Sequence, residues 1–295
     1  MDETTADGTR APGRTPDHSR LPRTAMIGVG SMGGAILAGL RAPEVDIERP
    51  IAVTTRSEAS AEAFAGAGDV TALSSERDPE ANRRAVRGAA LVVLGVKPWM
   101  VRDVVREIAG DLEPGAVVVS VAAGVTSAAI EAELPDGVAV VRAMPNTPST
   151  IGLGATGIAG GASASEEQVA LVQRMFATVG EALIVREDQI NAVAAVSGSG
   201  PAYIFLYAEE MTAAAERAGF DEDQARTLVK QTIVGAAQLW AHSDETPETL
   251  RRKVTSPKGT TEQAVLELQR GGWAELFDRA LAANVRRSEE IERGE

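Results

Sequence analysis

Thr24-Ala25-Met26-Ile27-Gly28-Val29-Gly30-Ser31-Met32-Gly33 is the stretch that sets the fold. A short apolar run ends on a G-x-G-x-x-G loop, and a helical pattern continues from Gly33 to Leu40. Strand, glycine turn and helix in that order form a dinucleotide-binding signature. Gly28 permits the tight turn, Gly30 lets backbone approach a pyrophosphate, and Gly33 allows the helix to pack closely on the strand. The N–H groups that begin the helix, at Ser31, Met32 and Gly33, would hold the phosphate charge at the positive end of its dipole. A glycine-rich turn alone would be a weak match. Its setting gives it weight.

That setting is an alternation of strand-like and helical segments. Strand-like runs are Ala25–Val29, Ile51–Thr55, Leu91–Val96, Ala116–Val121 and Val138–Arg142, with helical stretches at Gly33–Leu40, Glu58–Ala65 and Met100–Ala109. Several runs are apolar throughout, as strands buried on both faces are. The pattern predicts an α/β, doubly wound, Rossmann-type domain with a parallel sheet, finished by helix Glu166–Ala177 and strand Ala182–Val185. Beyond about Glu187 apolar residues recur at helical spacing in Ala202–Ala218, Glu222–Trp240 and Trp273–Ile291, and predict an all-α C-terminal domain. Asp221, with Gln224 three residues on, has the form of a capping box. In the helix it opens, Ala225, Leu228, Val229, Thr232, Ala236, Leu239 and Trp240 mark one stripe, and such stripes predict dimerisation through helices. The expected division is a disordered leader at 1–22, a cofactor domain at 23–187 and a helical substrate and dimerisation domain at 188–295.

Composition narrows the chemistry. A net charge of −13 disfavours nucleic acid and anionic membranes as partners. The chain has no cysteine and two histidines, His18 and His242, so thiol catalysis is excluded and zinc or haem sites of the usual kind are disfavoured. No metal is expected. Residues 1–22 lack an apolar signal-peptide core, and no run reaches membrane-spanning length, so the expected compartment is the cytoplasm.

The end of the second strand selects the cofactor. NAD sites usually place an acid there for the ribose 2′-hydroxyl. Here Thr55, Arg56 and Ser57 stand instead, a guanidinium and hydroxyls suited to a 2′-phosphate. This predicts NADPH, with NADH the weaker alternative, although a solvated Arg56 would leave the same sequence. Val96-Lys97-Pro98 and Arg142-Ala143-Met144-Pro145-Asn146-Thr147-Pro148 also lie beyond strand ends, where such sheets bind ligands. Asn146 offers both donor and acceptor to a carboxamide.

Near the far end, Ser256-Pro257-Lys258-Gly259-Thr260-Thr261 opens the helical stretch Glu262–Arg270. Thr260 with Gln263 has capping-box spacing, and the turn before it exposes backbone N–H groups suited to a carboxylate. An ordinary capped helix carries the same signals.

The chain resembles the pyrroline-5-carboxylate reductase family from Met26 to Ile291. The resemblance rests on Ile27–Gly33, Val96-Lys97-Pro98, Ser120-Val121-Ala122-Ala123-Gly124, Arg142–Pro148, Ser197-Gly198-Ser199-Gly200-Pro201-Ala202-Tyr203 and Val254–Thr261. It implies NADPH-dependent reduction of 1-pyrroline-5-carboxylate to L-proline, by hydride transfer from nicotinamide C4 to the C=N carbon. It implies cofactor contacts at Val96, Lys97, Pro98, Ala122 and Asn146. It also implies a substrate loop at Ser256, Gly259, Thr260 and Thr261, in which N–H groups hold the carboxylate and the Thr261 hydroxyl approaches the ring nitrogen. A homodimer or higher homo-oligomer is implied too. Ser197–Tyr203 reads as a turn and N-cap, with Ser199 before Pro201 and some pocket contact. Two positions depart from the family: Trp99, where Gln or His is usual, and Lys258, where Gly is usual. If Lys258 needs a positive φ, lysine would be strained there.

Two other readings remain. A 3-hydroxyacid dehydrogenase of similar architecture would need a lysine on the inter-domain helix, and Asn191–Ala218 contains none. A non-catalytic NADP-binding protein would leave Val254–Thr261 without a role.

Overall fold

The computed structural model describes residues 20–294. It contains β1 (Thr24–Ile27), α1 (Ser31–Leu40), β2 (Ile51–Thr55), α2 (Glu58–Glu62), β3 (Val70–Ser74), α3 (Ala81–Val86), β4 (Leu91–Leu94), α4 (Val101–Ile108), β5 (Val117–Ser120), α5 (Ser127–Glu131), β6 (Ala139–Met144), β7 (Gly154–Gly160), α6 (Glu166–Phe176) and β8 (Gly180–Ile184). Helices follow without further strands: α7 (Ile190–Val193), α8 (Gly200–Arg217), α9 (Glu222–Ala241), α10 (Pro247–Lys253), α11 (Thr260–Arg270) and α12 (Trp273–Arg293).

One sheet runs in the order β3-β2-β1-β4-β5-β6-β7-β8. Alternation of side chains across it builds a core on each face. Met26, Val93 and Val141 join Ile36, Leu40 and Phe176 on one side. Ile27, Val92 and Leu94 join Val105, Ile108 and Ile130 on the other. Pairing is parallel from β3 to β6, then β6 meets β7 antiparallel, and β7 meets β8 parallel. The sheet is therefore mixed, which corrects the expectation of a parallel one. β7 reads Gly-Ala-Thr-Gly-Ile-Ala-Gly, too poor in β-branched residues to signal a strand. Its glycines are steric requirements: a Cβ on Gly157 would stand 2.7 Å from Val193.

Most of the leader lies outside the described residues, as does His18. Its end is a correction: Leu21 is 3% exposed, bridges to Ile47 and joins the core.

The helical half has almost no interior of its own. α8, α11 and α12 bury no residue, and α9 buries Ala225 and Val229 alone. The Asp221–Gln224 capping box forms. Phe205, Leu239 and Trp240 stay exposed at 70%, 60% and 54%. Apolar helices of this length do not hold such faces in water unless something covers them. Among the described residues no helix is long and apolar enough to cross a membrane.

Candidate active site

Strand order aligns the carboxyl ends of β2, β1, β4, β5 and β6, with the order reversing between β1 and β4. This is the switch point at which doubly wound sheets take up ligands. Gly28 has φ 83°, and a Cβ there would lie 2.8 Å from Val96 Cγ1. A Cβ on Gly33 would lie 2.8 Å from the Gly28 carbonyl oxygen. Gly30 differs: nothing stands within 4 Å of its would-be Cβ. Gly30 is also the N-cap of α1, with no side chain capping the helix, so the first-turn N–H groups have no partner among the described residues. Two packing glycines, one open glycine and a bare helix N-terminus fit a dinucleotide pyrophosphate.

Gly95 is a residue the sequence reading missed. A Cβ there would fall on the Gly28 carbonyl, so the start of the Val96-Lys97-Pro98 loop must be glycine. Its position directly after the apolar run Leu91–Leu94 was the available signal. Val96 reaches the glycine loop, Lys97 is exposed, and Pro98 starts a single 3-10 turn. Trp99 beside it is 76% exposed.

The adenosine end is arranged differently from expectation. Thr55 is 6% exposed, and its hydroxyl donates to the Ser57 carbonyl at 2.9 Å. Ser57 Oγ caps α2, accepting from the Ser60 N–H at 3.3 Å. Both hydroxyls are thus built into the turn that presents Arg56. Arg56 is exposed, and among the described residues its guanidinium has no hydrogen-bond or ion-pair partner. The sequence suggested that no carboxylate stood nearby. Glu76, following β3, in fact accepts from the Glu58 N–H at 3.0 Å, and Glu58 pairs with Arg77 at 2.9 Å. Glu76 arrives from the neighbouring strand, so no local spacing could reveal it.

At the other end of the row, Ala122 is buried and its N–H donates to Ser120 Oγ at 3.3 Å. Asn146 is 8% exposed. Its Nδ2 donates to the Ser197 carbonyl at 3.0 Å and its Oδ1 accepts from the Ala155 N–H at 2.9 Å. It therefore joins β6 to β7 and to the segment that enters the helices.

Ser199 stands at the N-cap of α8, but the segment before it is a π-helical turn and not a simple loop. Residues Ala194–Gly198 form a π-helical turn that carries α7 into α8, with the Ser199 N–H donating to the Ala194 carbonyl at 2.8 Å. Such π-turns recur at functional sites. Ser199 makes no side-chain cap; its Oγ accepts from Asn284 Nδ2 at 2.8 Å. A cleft of ≈ 700 Å³ opens here, lined by Asn146, Pro148, Gly200, Tyr203 and Trp273.

The back loop is a tight turn. The Gly259 N–H donates to the Ser256 carbonyl at 2.9 Å, with Pro257 and Lys258 at the central positions. Lys258 has φ 60°, the one positive value outside glycine among the described residues. The third turn position wants glycine when φ is positive, so lysine is strained there by about 1 kcal/mol. Helix α11 starts one residue earlier than its Thr260–Gln263 spacing suggested. Gly259 is the N-cap, without a side-chain cap. Instead Glu262 Oε2 accepts from the Lys258 N–H at 2.8 Å, a contact the sequence reading overlooked. The Gly259 N–H is consequently committed to the turn, while those of Thr260 and Thr261 are left without a partner among the described residues. Thr260, Thr261 and Ser256 are exposed. α11 packs along α12, and among the described residues no hydrogen bond joins Ser256–Thr261 to the sheet.

Hydrogen bonds from Arg83 and Arg87 hold Asp111 below the usual carboxylate range, and Arg106 does the same for Glu133.

Comparison with known proteins converges on one family. A family model described as pyrroline-5-carboxylate reductase dimerisation matches residues 187–291, and one described as NADP oxidoreductase, coenzyme F420-dependent, matches 23–124. The pyrroline-5-carboxylate reductase of Pseudomonas aeruginosa is 41% identical over 271 residues, covering 92% of this chain and 97% of that protein. The one from Mycobacterium tuberculosis is 36% identical over 294 residues, with the same coverage of 92% and 97%. A solved pyrroline-5-carboxylate reductase structure from Coxiella burnetii matches with a TM-score of 0.84 at 40% identity, over 91% of this chain and 98% of that one. The Plasmodium falciparum pyrroline carboxylate reductase, solved with NADP bound, shares the fold at 23% identity and a TM-score of 0.76, over 92% of this chain and 98% of that one. With its sheet, its helical half and these relatives in agreement, the chain belongs to the pyrroline-5-carboxylate reductase family.

Proposed function

We propose a residue-level account of how this reductase, which uses a nicotinamide cofactor to reduce 1-pyrroline-5-carboxylate to L-proline, divides its work. Residues 23–187 bind the cofactor, and residues 188–295 bind the substrate and form the homo-oligomer. The bare N-terminus of α11 carries the substrate assignment, because its two uncommitted N–H groups suit one small carboxylate.

The N–H groups of Thr260 and Thr261 hold that carboxylate. Ser256 shapes the loop, and Gly259 contributes backbone shape in place of the N–H first expected of it. The Thr261 hydroxyl meets the ring nitrogen and accepts a hydrogen bond from it while the imine is protonated. Protonation makes the C=N carbon a better hydride acceptor, so this contact favours the reactive form. At the front, the N–H groups of Ser31, Met32 and Gly33 hold the pyrophosphate, with Gly28 and Gly30 giving access. Val96, Lys97, Pro98, Ala122 and Asn146 shape the loops along the nicotinamide half. The bound cofactor supplies the hydride from its C4 position. Alignment of the two reactants supplies most of the rate, since bringing a bimolecular step into one cavity removes much of its entropic cost.

A second copy of the chain covers the exposed faces of α8, α9, α11 and α12. Such an arrangement lets the substrate loop of one subunit serve the cofactor loops of the other, in keeping with its lack of bonds to its own sheet.

The cofactor is NADPH. The exposed Arg56, without a partner among the described residues, supports this, since a guanidinium recognises a phosphate bidentately. Arg56→Ala should raise the KM for NADPH by about 10- to 100-fold, the worth of one charged hydrogen-bonded contact, and leave that for NADH nearly unchanged. Steady-state kinetics with both cofactors decides it. An unaltered preference removes Arg56 from the site.

A further inference from the structure

Arg142 lies in β6, two residues before Met144, with its side chain 4% exposed. Its Nη1 donates to Glu187 Oε1 at 3.0 Å, and its Nη2 donates to Glu292 Oε1 at 3.3 Å. Glu187 Oε1 also accepts from the Ser127 N–H at 3.0 Å, where α5 begins after the Gly124 loop. One residue before Glu292, Ile291 occupies the space that a Cβ on Gly124 would need, and Gly124 has φ 71°. The last turn of α12 is thereby fixed to the loop after β5 and to the strand before the Asn146 loop.

The arrangement is expensive for a merely stabilising one. One buried guanidinium faces two carboxylates, and among the described residues Glu187 Oε2 is buried without a hydrogen-bond partner. Apolar packing would bury the same volume at lower cost in desolvation. What the ionic cluster adds is a unique geometry, because each oxygen and N–H accepts few alternatives. α12 is about 30 Å long. It packs beside the substrate helix α11, meets Ser199 through Asn284, and ends on the loop that carries Ala122 and on β6, the strand that leads into Asn146.

We propose that Arg142, Glu187 and Glu292 are positioning residues for hydride transfer, locking the end of α12 onto the nicotinamide-side loops. This rests on the roles given above to Ala122 and Asn146. The alignment they fix is the step at which small displacements are costly.

Glu292→Ala is the informative variant, because Arg142 keeps Glu187 and the core is not left with an unpaired charge. It should lower kcat roughly tenfold, a modest misalignment. The KM for 1-pyrroline-5-carboxylate and the oligomer mass should stay as in the wild type, while the thermal midpoint falls by no more than a few degrees, the cost of one buried donor left without its acceptor. The primary isotope effect with NADPH deuterated at C4 should rise, since hydride transfer becomes the slower step. Glu292→Gln, which still accepts from Arg142, should recover part of the loss. An unchanged kcat and isotope effect, or a kcat that falls only in step with thermal midpoint or oligomer mass, overturns the proposal. Wild-type turnover with the same substrate is measured alongside, so failure of the reductase reading shows there and not in the comparison of variants.

Discussion

Gly30→Val is expected to abolish NADPH binding while the protein stays folded. The would-be Cβ of Gly30 has no atom within 4 Å, and its φ of −88° suits any residue. The substitution costs about 1 kcal/mol, that of an apolar residue at an N-cap. The new methyl groups, however, fill the space in which the pyrophosphate must meet the N–H groups of α1. Losing two charge-assisted hydrogen bonds, worth about 1.5–3 kcal/mol each, predicts a rise in Kd of at least about 100-fold. Titration by NADPH fluorescence reads the affinity, and thermal melting of the cofactor-free protein reads the fold. Gly33→Val is the contrast: its Cβ would press on the Gly28 carbonyl at 2.8 Å, so it should destabilise the sheet domain itself. Normal affinity in Gly30→Val would take the glycine loop out of cofactor binding.

Thr261→Ala should separate the two ends of the site. Thr261 is exposed at the second position of α11, and among the described residues its hydroxyl has no hydrogen-bond partner. Its removal leaves the turn, the N-cap and the neighbouring N–H groups in place. One hydrogen bond to a charged nitrogen is worth about 1.5–3 kcal/mol, so kcat/KM for 1-pyrroline-5-carboxylate should fall by about 10- to 100-fold. The Kd for NADPH should not change, because the cofactor is held by the sheet domain. Thr261→Ser restores the hydroxyl and should restore most of the activity. Wild-type kcat/KM in the alanine variant would contradict the role assigned to Thr261.

The sequence made the architecture readable wherever burial imposed a period. β4 is apolar throughout, and β5 apolar up to Ser120, because both faces are covered, and α9 announces its start through Asp221 and Gln224. β7 stayed hidden because its close contacts demand glycine, so packing removed the residues that mark a strand. At the site, the glycine loop was legible since Gly28 and Gly33 answer local steric needs and Gly30 leaves open space between them. The back loop was legible as a helix start, but its cap was not. With Lys258 at positive φ in the turn, the N-cap falls on Gly259, and Glu262 bonds back to the Lys258 N–H. Contacts between distant segments left no trace in local spacing. Glu76 comes across from β3, and Arg142 looked like part of a loop motif until Glu187 and Glu292 closed around it.

The two bare helix N-termini, at α1 and α11, gain their meaning from each other. One suits a pyrophosphate and the other a small carboxylate, and the helical faces between them call for a second copy of the chain. The most direct measurement follows NADPH oxidation by the purified protein in the presence of 1-pyrroline-5-carboxylate, together with the proline formed. The account predicts one proline for each NADPH consumed, with NADPH used more efficiently than NADH. No turnover with either cofactor would contradict it.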